Sequence, residues 1–140
     1  MDIRVENDCY NIDWNHIKEI LKAAGMSYFD EDTHKKAFEN SYSTVFIYDG
    51  NELIGFGRSI SDGVYQAAIY DVAVLPSYQG SGIGRIIINN IFNELDKKRK
   101  ITIKKNDKDL LRDQIESYRL EETTLDYILY IILDFAGKLI

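Results

Sequence analysis

The apolar positions of the chain alternate between two periods. Ile3 and Val5 alternate with polar neighbours, which predicts a short first strand. Ile17, Ile20, Leu21 and Ala24 then recur at helical spacing. Asp13 stands where an N-cap belongs and Gly25 where a helix stops, so a helix is predicted over 14–24. Asp30, Glu31 and Asp32 open a second helix through 39, with acidic residues at the positive end of the helix dipole. Strand-like runs follow at 44–48, 53–60 and 64–75, separated by the turn signals Asp49-Gly50-Asn51 and Asp62-Gly63. Gly55 and Gly57 fall on one face of the second run. The third is longer than an average strand and is expected to carry a bulge or bend. A helix over 82–98 has a buried stripe of Ile83, Ile87, Ile88, Ile91, Phe92 and Leu95. Lys97-Lys98-Arg99-Lys100 closes it with the charge its C-terminus favours. Beyond it the pattern predicts a strand at 101–104, a short helix at 106–116, and strands at 118–123 and 126–134.

Hairpin-linked strands followed by a crossover helix predict an α/β chain with a mixed sheet and helices on its faces. At 140 residues, with one proline and no repeat or linker, it reads as a single domain over 1–140. Apolar content of 45% and charged content of 29% are ordinary for a globular protein. A net charge of -6 argues against general nucleic-acid binding and suits a cationic small molecule better than a polyanion. Cys9 is the lone cysteine, which excludes an intrachain disulfide and a cysteine metal cluster. His16 and His34 are too few for a His-rich metal site. They are read on exposed helix faces and carry no assigned role. No apolar run reaches membrane-spanning length, and no signal-peptide core follows Met1, so the expected location is cytoplasmic, with no membrane partner.

The stretch from Tyr70 to Arg85 carries the chemistry. A strand ends at Pro76, a polar turn follows, and Gly80, Gly82 and Gly84 stand at alternate positions before a helix. Such an order exposes backbone N–H groups at the positive end of a helix, a place suited to phosphate. A dinucleotide fingerprint fails because its third glycine is Arg85 and the expected downstream acid is absent. A P-loop fails because no Lys and no magnesium-binding hydroxyl follow Gly84. The pattern that fits is Gln79-Gly80-Ser81-Gly82-Ile83-Gly84, preceded by Asp71-Val72-Ala73-Val74-Leu75-Pro76-Ser77-Tyr78 and by Asn51-Glu52-Leu53-Ile54-Gly55-Phe56-Gly57. It resembles the acyl-CoA signature of the GNAT N-acetyltransferase superfamily, over about 45–95.

The resemblance implies a mostly antiparallel central sheet with a splayed strand pair, helices on both faces, and acetyl-CoA as the acetyl donor. The strand ending at Leu75 would splay from the one at 101, with the pantetheine arm between them. Backbone groups at Val72 and Val74 would pair with that arm. The N–H groups of Gln79, Gly80, Ser81, Gly82, Ile83, Gly84 and Arg85 would cradle the pyrophosphate, and Asn106 would add a contact. The acceptor implied is a primary amine of a small molecule or peptide, acetylated by direct transfer without a metal. The pattern breaks after Asn106. Asp109 and Asp113 stand where the family has Ala and Tyr, so its usual general acid is missing, and an ionised Asp is a poor proton donor.

Amine acetylation also needs a base. Asp71 is the best-placed carboxylate, as base or amine anchor, and Tyr70 is a cleft wall or proton donor. Strand alternation sends the two to opposite faces. Asp30, Glu31 and Asp32 could attract a cationic amine but read first as a cap and first-turn acids. Tyr28 and Phe29 could line the same pocket but read first as core, and Trp14 reads as a helix-start anchor in the core. The alternative to an enzyme is a non-catalytic acyl-CoA-binding or regulatory module. A homodimer that shares a sheet through the apolar run 127–133 is a third arrangement.

Overall fold

The computed structural model describes residues 1–63, 66–99, 131–134 and 138–139. The expected elements at 101–104, 106–116 and 118–123 lie outside the described residues, as do Asn106, Asp113 and the first part of the 126–134 strand.

The elements run β1 (Ile3–Glu6), α1 (Trp14–Ala23), α2 (Glu31–Glu39), β2 (Ser43–Asp49), β3 (Glu52–Ser61), β4 (Gln66–Val74), a 3-10 turn (Pro76–Tyr78), α3 (Ile83–Arg99), β5 (Ile131–Asp134) and β6 (Lys138–Leu139). The strands form one sheet in chain order, and every described pairing is antiparallel. The short β6 has no counterpart among the expected elements.

Local chemistry accounts for the helix limits. Asp13 accepts the His16 N–H at 3.2 Å, and Asp30 accepts the Thr33 N–H at 2.8 Å, so both caps satisfy a donor the helix cannot. Past Ala24, the Met26 N–H folds back to the Leu21 carbonyl and closes α1. Each helix offers an apolar stripe, and the sheet takes them on opposite faces. Ile83, Ile87, Ile88, Ile91, Phe92 and Leu95 of α3 pack on Val45, Ile47, Ile54, Ile69, Val72 and Val74. Ile17, Ile20, Leu21 and Phe38 of α1 and α2 pack on Phe46, Leu53, Phe56 and Ala73. Trp14 is half-buried beside Phe38 and Phe46, as a core anchor should be.

The expected irregularity of the long strand is a bulge at Asp71. Phe56 pairs with Ala73 and Arg58 with Tyr70, so Asp71 and Val72 together oppose Gly57. Asp71 takes φ +54, a left-handed conformation that Asp tolerates better than most residues. The extra residue shifts the alternation by one. Ala67 and Ile69 face α3 before the bulge, and Val72 and Val74 face it afterwards. The expectation that Tyr70 and Asp71 point to opposite faces is therefore wrong. Both reach Arg58, on the side of α1 and α2.

Gly55 and Gly57 share the α3 face as expected, and they set how closely the helix lies. A Cβ on Gly57 would stand 2.7 Å from Ile87 Cγ2 and 3.2 Å from Ile91 Cδ1. Ile87 Cγ2 sits next to the helix backbone, so α3 itself would have to move. Overpacking of this kind costs roughly 1–3 kcal/mol, against at most about 1 kcal/mol regained by stiffening the unfolded chain. Gly57→Ala is expected to lower the urea midpoint at unchanged m-value. An unchanged midpoint would show that α3 is free to yield.

Candidate functional site

Two groups of residues meet at the C-terminal half of β4, one at its end and one on its α1–α2 face. The strand's edge is open there. β5 pairs only with Gln66 to Ile69, so among the described residues no strand covers the edge of Tyr70 to Val74 opposite β3. The Leu75 N–H donates to the Ile54 carbonyl at 2.7 Å. Alternation in an antiparallel ladder then turns the N–H and C=O of Val74 away from β3, toward the open edge. The Val74 carbonyl accepts the Gln79 side-chain amide at 3.0 Å. Gln79 thus ties the glycine loop to the strand. Its side-chain amide is engaged with the strand.

Ser81 Oγ is likewise folded inward, onto the Tyr78 carbonyl. Tyr78 fixes the loop from the other side. Its hydroxyl donates to Asp49 at 2.8 Å and contacts Glu52 at 3.4 Å, which locks the loop to the β2–β3 hairpin. The hydrogen bond to Asp49 pushes the Tyr78 pKa up to about 12. The Asp2 backbone N–H, followed by this hydroxyl, holds the Asp49 carboxyl below its usual value.

What remains on the loop's open side is backbone. Gly80 and Gly82 adopt φ of +78 and +87, and the Ile86 N–H donates to the Gly82 carbonyl, which begins α3. The first-turn N–H groups have no partner within the helix, and no acidic residue stands in that turn. Ile83, Val72 and Val74 bury their side chains between α3 and the sheet, so only their backbones can serve a ligand. Arg85 is exposed in the first turn of α3. A Cβ on Gly84 would meet nothing within 4 Å, and Gly84 has no positive φ. The fold therefore does not need glycine there, although glycine in a helix costs about 1 kcal/mol relative to alanine. The space is what a phosphate lying close to the backbone requires.

The second group sits on the α1–α2 face. Asp71 Oδ2 accepts from Arg58 Nε at 2.7 Å, with both side chains mostly buried. The Arg58 guanidinium lies 5.5 Å from the Tyr70 ring and 5.7 Å from the Phe38 ring, and reaches Ser41 Oγ at 3.4 Å. His34 closes the group from α2, within electrostatic reach of Asp71 and Arg58. Reading His34 as exposed is incorrect, since it is 4% exposed. His16 is half-buried, and its Nε2 bonds the Leu53 carbonyl at 2.8 Å. Tyr28 and Phe29, expected in the core, are 44% and 62% exposed. Asp30 caps α2, and Asp32 pairs with Lys36 on the surface.

Arg58 and His34 went unassigned in the sequence although their spacing marked both. Arg58 is two residues from Phe56 on a strand, and His34 four from Phe38 on a helix, so each shares the face of a core phenylalanine.

A family model for the acetyltransferase (GNAT) family matches residues 6–119. The chain belongs to this family. An uncharacterized N-acetyltransferase ycf52-like protein of Prochlorococcus marinus is 34% identical over 91 residues, 62% of this chain and 51% of that one. The GNAT chain thus spans about half the length of this curated relative. A structure of a protein of unknown function from meticillin-resistant Staphylococcus aureus, a probable acetyltransferase, shares the fold at a TM-score of 0.65 and 29% identity, covering 85% of this chain and 92% of that one. A GNAT acetyltransferase of Brucella melitensis in complex with acetyl-CoA matches at a TM-score of 0.53 and 17% identity, over 68% and 69% of the two chains. No helix among the described residues is long and apolar enough to cross a membrane.

The Asp71 position yields a stability test. Asp71→Asn keeps a residue that tolerates φ +54 but leaves the mostly buried Arg58 without its charge partner, a loss of about 1.5–3 kcal/mol. Asp71→Val adds a β-branched side chain in the left-handed region and should cost roughly 1–3 kcal/mol more. Denaturant midpoints should therefore fall in the order wild type, Asn, Val. Equal midpoints for the two variants would show that the bulge is not under backbone strain.

Proposed function

We propose that this chain is a single acyltransferase domain that moves an acetyl group from acetyl-CoA to a primary amine of a small molecule or peptide. The observation that carries this reading is the loop from Gln79 to Arg85. The Gln79 and Ser81 side chains are bonded back onto the strand and the turn and Ile83 is buried, the backbone faces open space at Gly84, and the loop begins a helix without a first-turn acid. When bound, acetyl-CoA supplies the activated acetyl thioester. Gln79, Gly80, Ser81, Gly82, Ile83, Gly84 and Arg85 would hold its pyrophosphate, mostly through backbone N–H groups. Val72 and Val74 would pair with its arm along the open edge of β4, and Asn106 would add a contact. The outward N–H of Val74 is the donor best suited to charge developing on a carbonyl oxygen.

On the acceptor side Asp71 would take the amine proton or hold the amine. A carboxylate offers about four lone-pair sites, so one bond from Arg58 does not exhaust it. Tyr70, stacked near the Arg58 cation, is the wall or proton donor beside it. Tyr78 is ill suited to replace the missing family acid, because Asp49 holds its proton and its pKa lies near 12. The lone Cys9 and a net charge of -6 are in keeping with a cytoplasmic location and without nucleic-acid binding.

The test is thiol release from acetyl-CoA across a panel of polyamines, arylalkylamines, aminoglycosides and peptide N-termini, with acetyl-CoA binding measured in parallel. Turnover with one class supports the enzyme. Binding without turnover on any amine favours a non-catalytic acyl-CoA module, to which the Asp at 113 also points. Failure to bind acetyl-CoA overturns both. Gly84→Ala should leave thermal stability equal or slightly raised while weakening acetyl-CoA binding at least several-fold, and Gly82→Trp should abolish binding.

A further inference from the structure

The connection between α1 and α2 has no role in the reading above, yet it holds a buried titratable group. His34 lies one helical turn before Phe38, at 4% exposure. Its Nε2 accepts the Phe29 backbone N–H at 2.8 Å, so that nitrogen carries a lone pair and the ring is neutral, with its proton on Nδ1. The Phe29 ring lies 5.9 Å from the imidazole. Phe29 and its neighbour Tyr28 are among the large hydrophobic side chains that the fold leaves exposed.

Charges face His34 from every packed element. Asp71 of β4 and Asp30 at the N-cap of α2 favour a proton on the ring. Arg58 of β3 and Lys18 of α1 oppose one. Burial outweighs the rest and lowers the His34 pKa below its usual 6.5.

We propose that His34 is a positioning residue of the acceptor site. As a neutral hydrogen-bond acceptor it latches the Tyr28–Phe29 connection on the face of the Arg58–Asp71 pair, where the two aromatic rings form an apolar wall for the body of the amine. A proton on Nε2 opens the latch. A protonated Nε2 sets a donor against the Phe29 N–H donor, so the bond is lost and the amide turns to water. The fold favours the neutral ring, so the latch is fully closed above the unfolded-state pKa of about 6.5. It is lost as pH falls through the lowered folded-state value. The wall rests on the acetyl-transfer reading, whereas the latch does not.

Amide hydrogen exchange on the whole chain reads the latch directly. The Phe29 amide should be protected at pH 8. After correction for intrinsic exchange, it should lose protection below pH 6.5 relative to the amides of α1. His34→Leu should abolish its protection at all pH values. His34→Gln, whose Oε1 can accept the same bond without titrating, should restore protection and remove the pH dependence. Protection that survives in His34→Leu, or that does not depend on pH in the native chain, overturns the latch.

The wall is tested with phenethylamine at saturating acetyl-CoA. His34→Leu should raise the amine KM several-fold while kcat and the acetyl-CoA KM change less than twofold. Lowering the pH should raise the amine KM more in the native chain than in His34→Gln, which controls for protonation of the amine itself. An unchanged amine KM beside a broken latch overturns the wall. Absence of turnover with every amine overturns the acetyl-transfer reading and the wall together, while amide exchange still decides the latch.

Discussion

The left-handed turn of the backbone at Asp71 is the constraint on which the rest of the arrangement depends. A strand keeps its sides by strict alternation, and one added residue exchanges them. Ile69 and Val72 can both lie under α3 only because Asp71 adds that residue. Without it, Val72 and Val74 would point at α1 and α2, and Ala73 would be left beneath α3. Such a conformation costs of order 1–3 kcal/mol at a non-glycine residue. Two features oppose that cost. The apolar residues on both sides of the bulge are buried only in this phase, and the carboxylate of the strained residue meets Arg58 at 2.7 Å. The same ion pair neutralises a cation that would otherwise sit among Phe38, Tyr70 and Ser41.

The phase shift also gives the glycine loop its anchor on the strand. Val74 emerges from the bulge with its carbonyl turned outward, where Gln79 can take it. Tyr78 then braces the loop against Asp49, whose carboxylate is itself held by the Asp2 N–H. Side-chain hydrogen bonds thus join the hairpin at 49–52, the end of β4 and the loop that leads into α3. Donors fixed in advance need no rearrangement to meet an anion, and that saving strengthens binding without a new contact.

Features set by near neighbours in the chain were legible in the sequence. The stripe of α3, the caps at Asp13 and Asp30, the turn at Gly50 and the shared face of Gly55 and Gly57 each follow from residues a few positions apart. The position of the bulge does not, because it is decided by which residue of β3 stands opposite. The length of 64–75 implies an irregularity somewhere in it, but strict alternation puts Tyr70 and Asp71 on opposite faces, whereas the bulge brings both to one face. Arg58 and His34 were missed for a different reason. Arg58 belongs to no motif, and His34 reads on an exposed helix face although it stands four residues before Phe38. Inward spacing with a polar side chain marks a group that needs a buried partner, and each has one, in Asp71 and in the Phe29 amide.

The end of β4 and its α1–α2 face carry information of different kinds. On the acetyl-transfer reading the loop end binds through backbone, so what it demands of the sequence is glycine and hydrogen-bonded anchors such as Gln79. That demand leaves a compact motif, which is why the family could be read from a few consecutive residues. The α1–α2 face presents side chains drawn from four places in the chain: His34 on α2, Arg58 on β3, Tyr70 and Asp71 on β4, and the aromatic pair before Asp30. No short motif can encode such a set, since its members meet only after the sheet has formed. On the acetyl-transfer reading, the donor is therefore legible from the chain, and the acceptor is a property of packing. Changes that leave the loop intact can alter the acceptor by moving one polar residue across a core face.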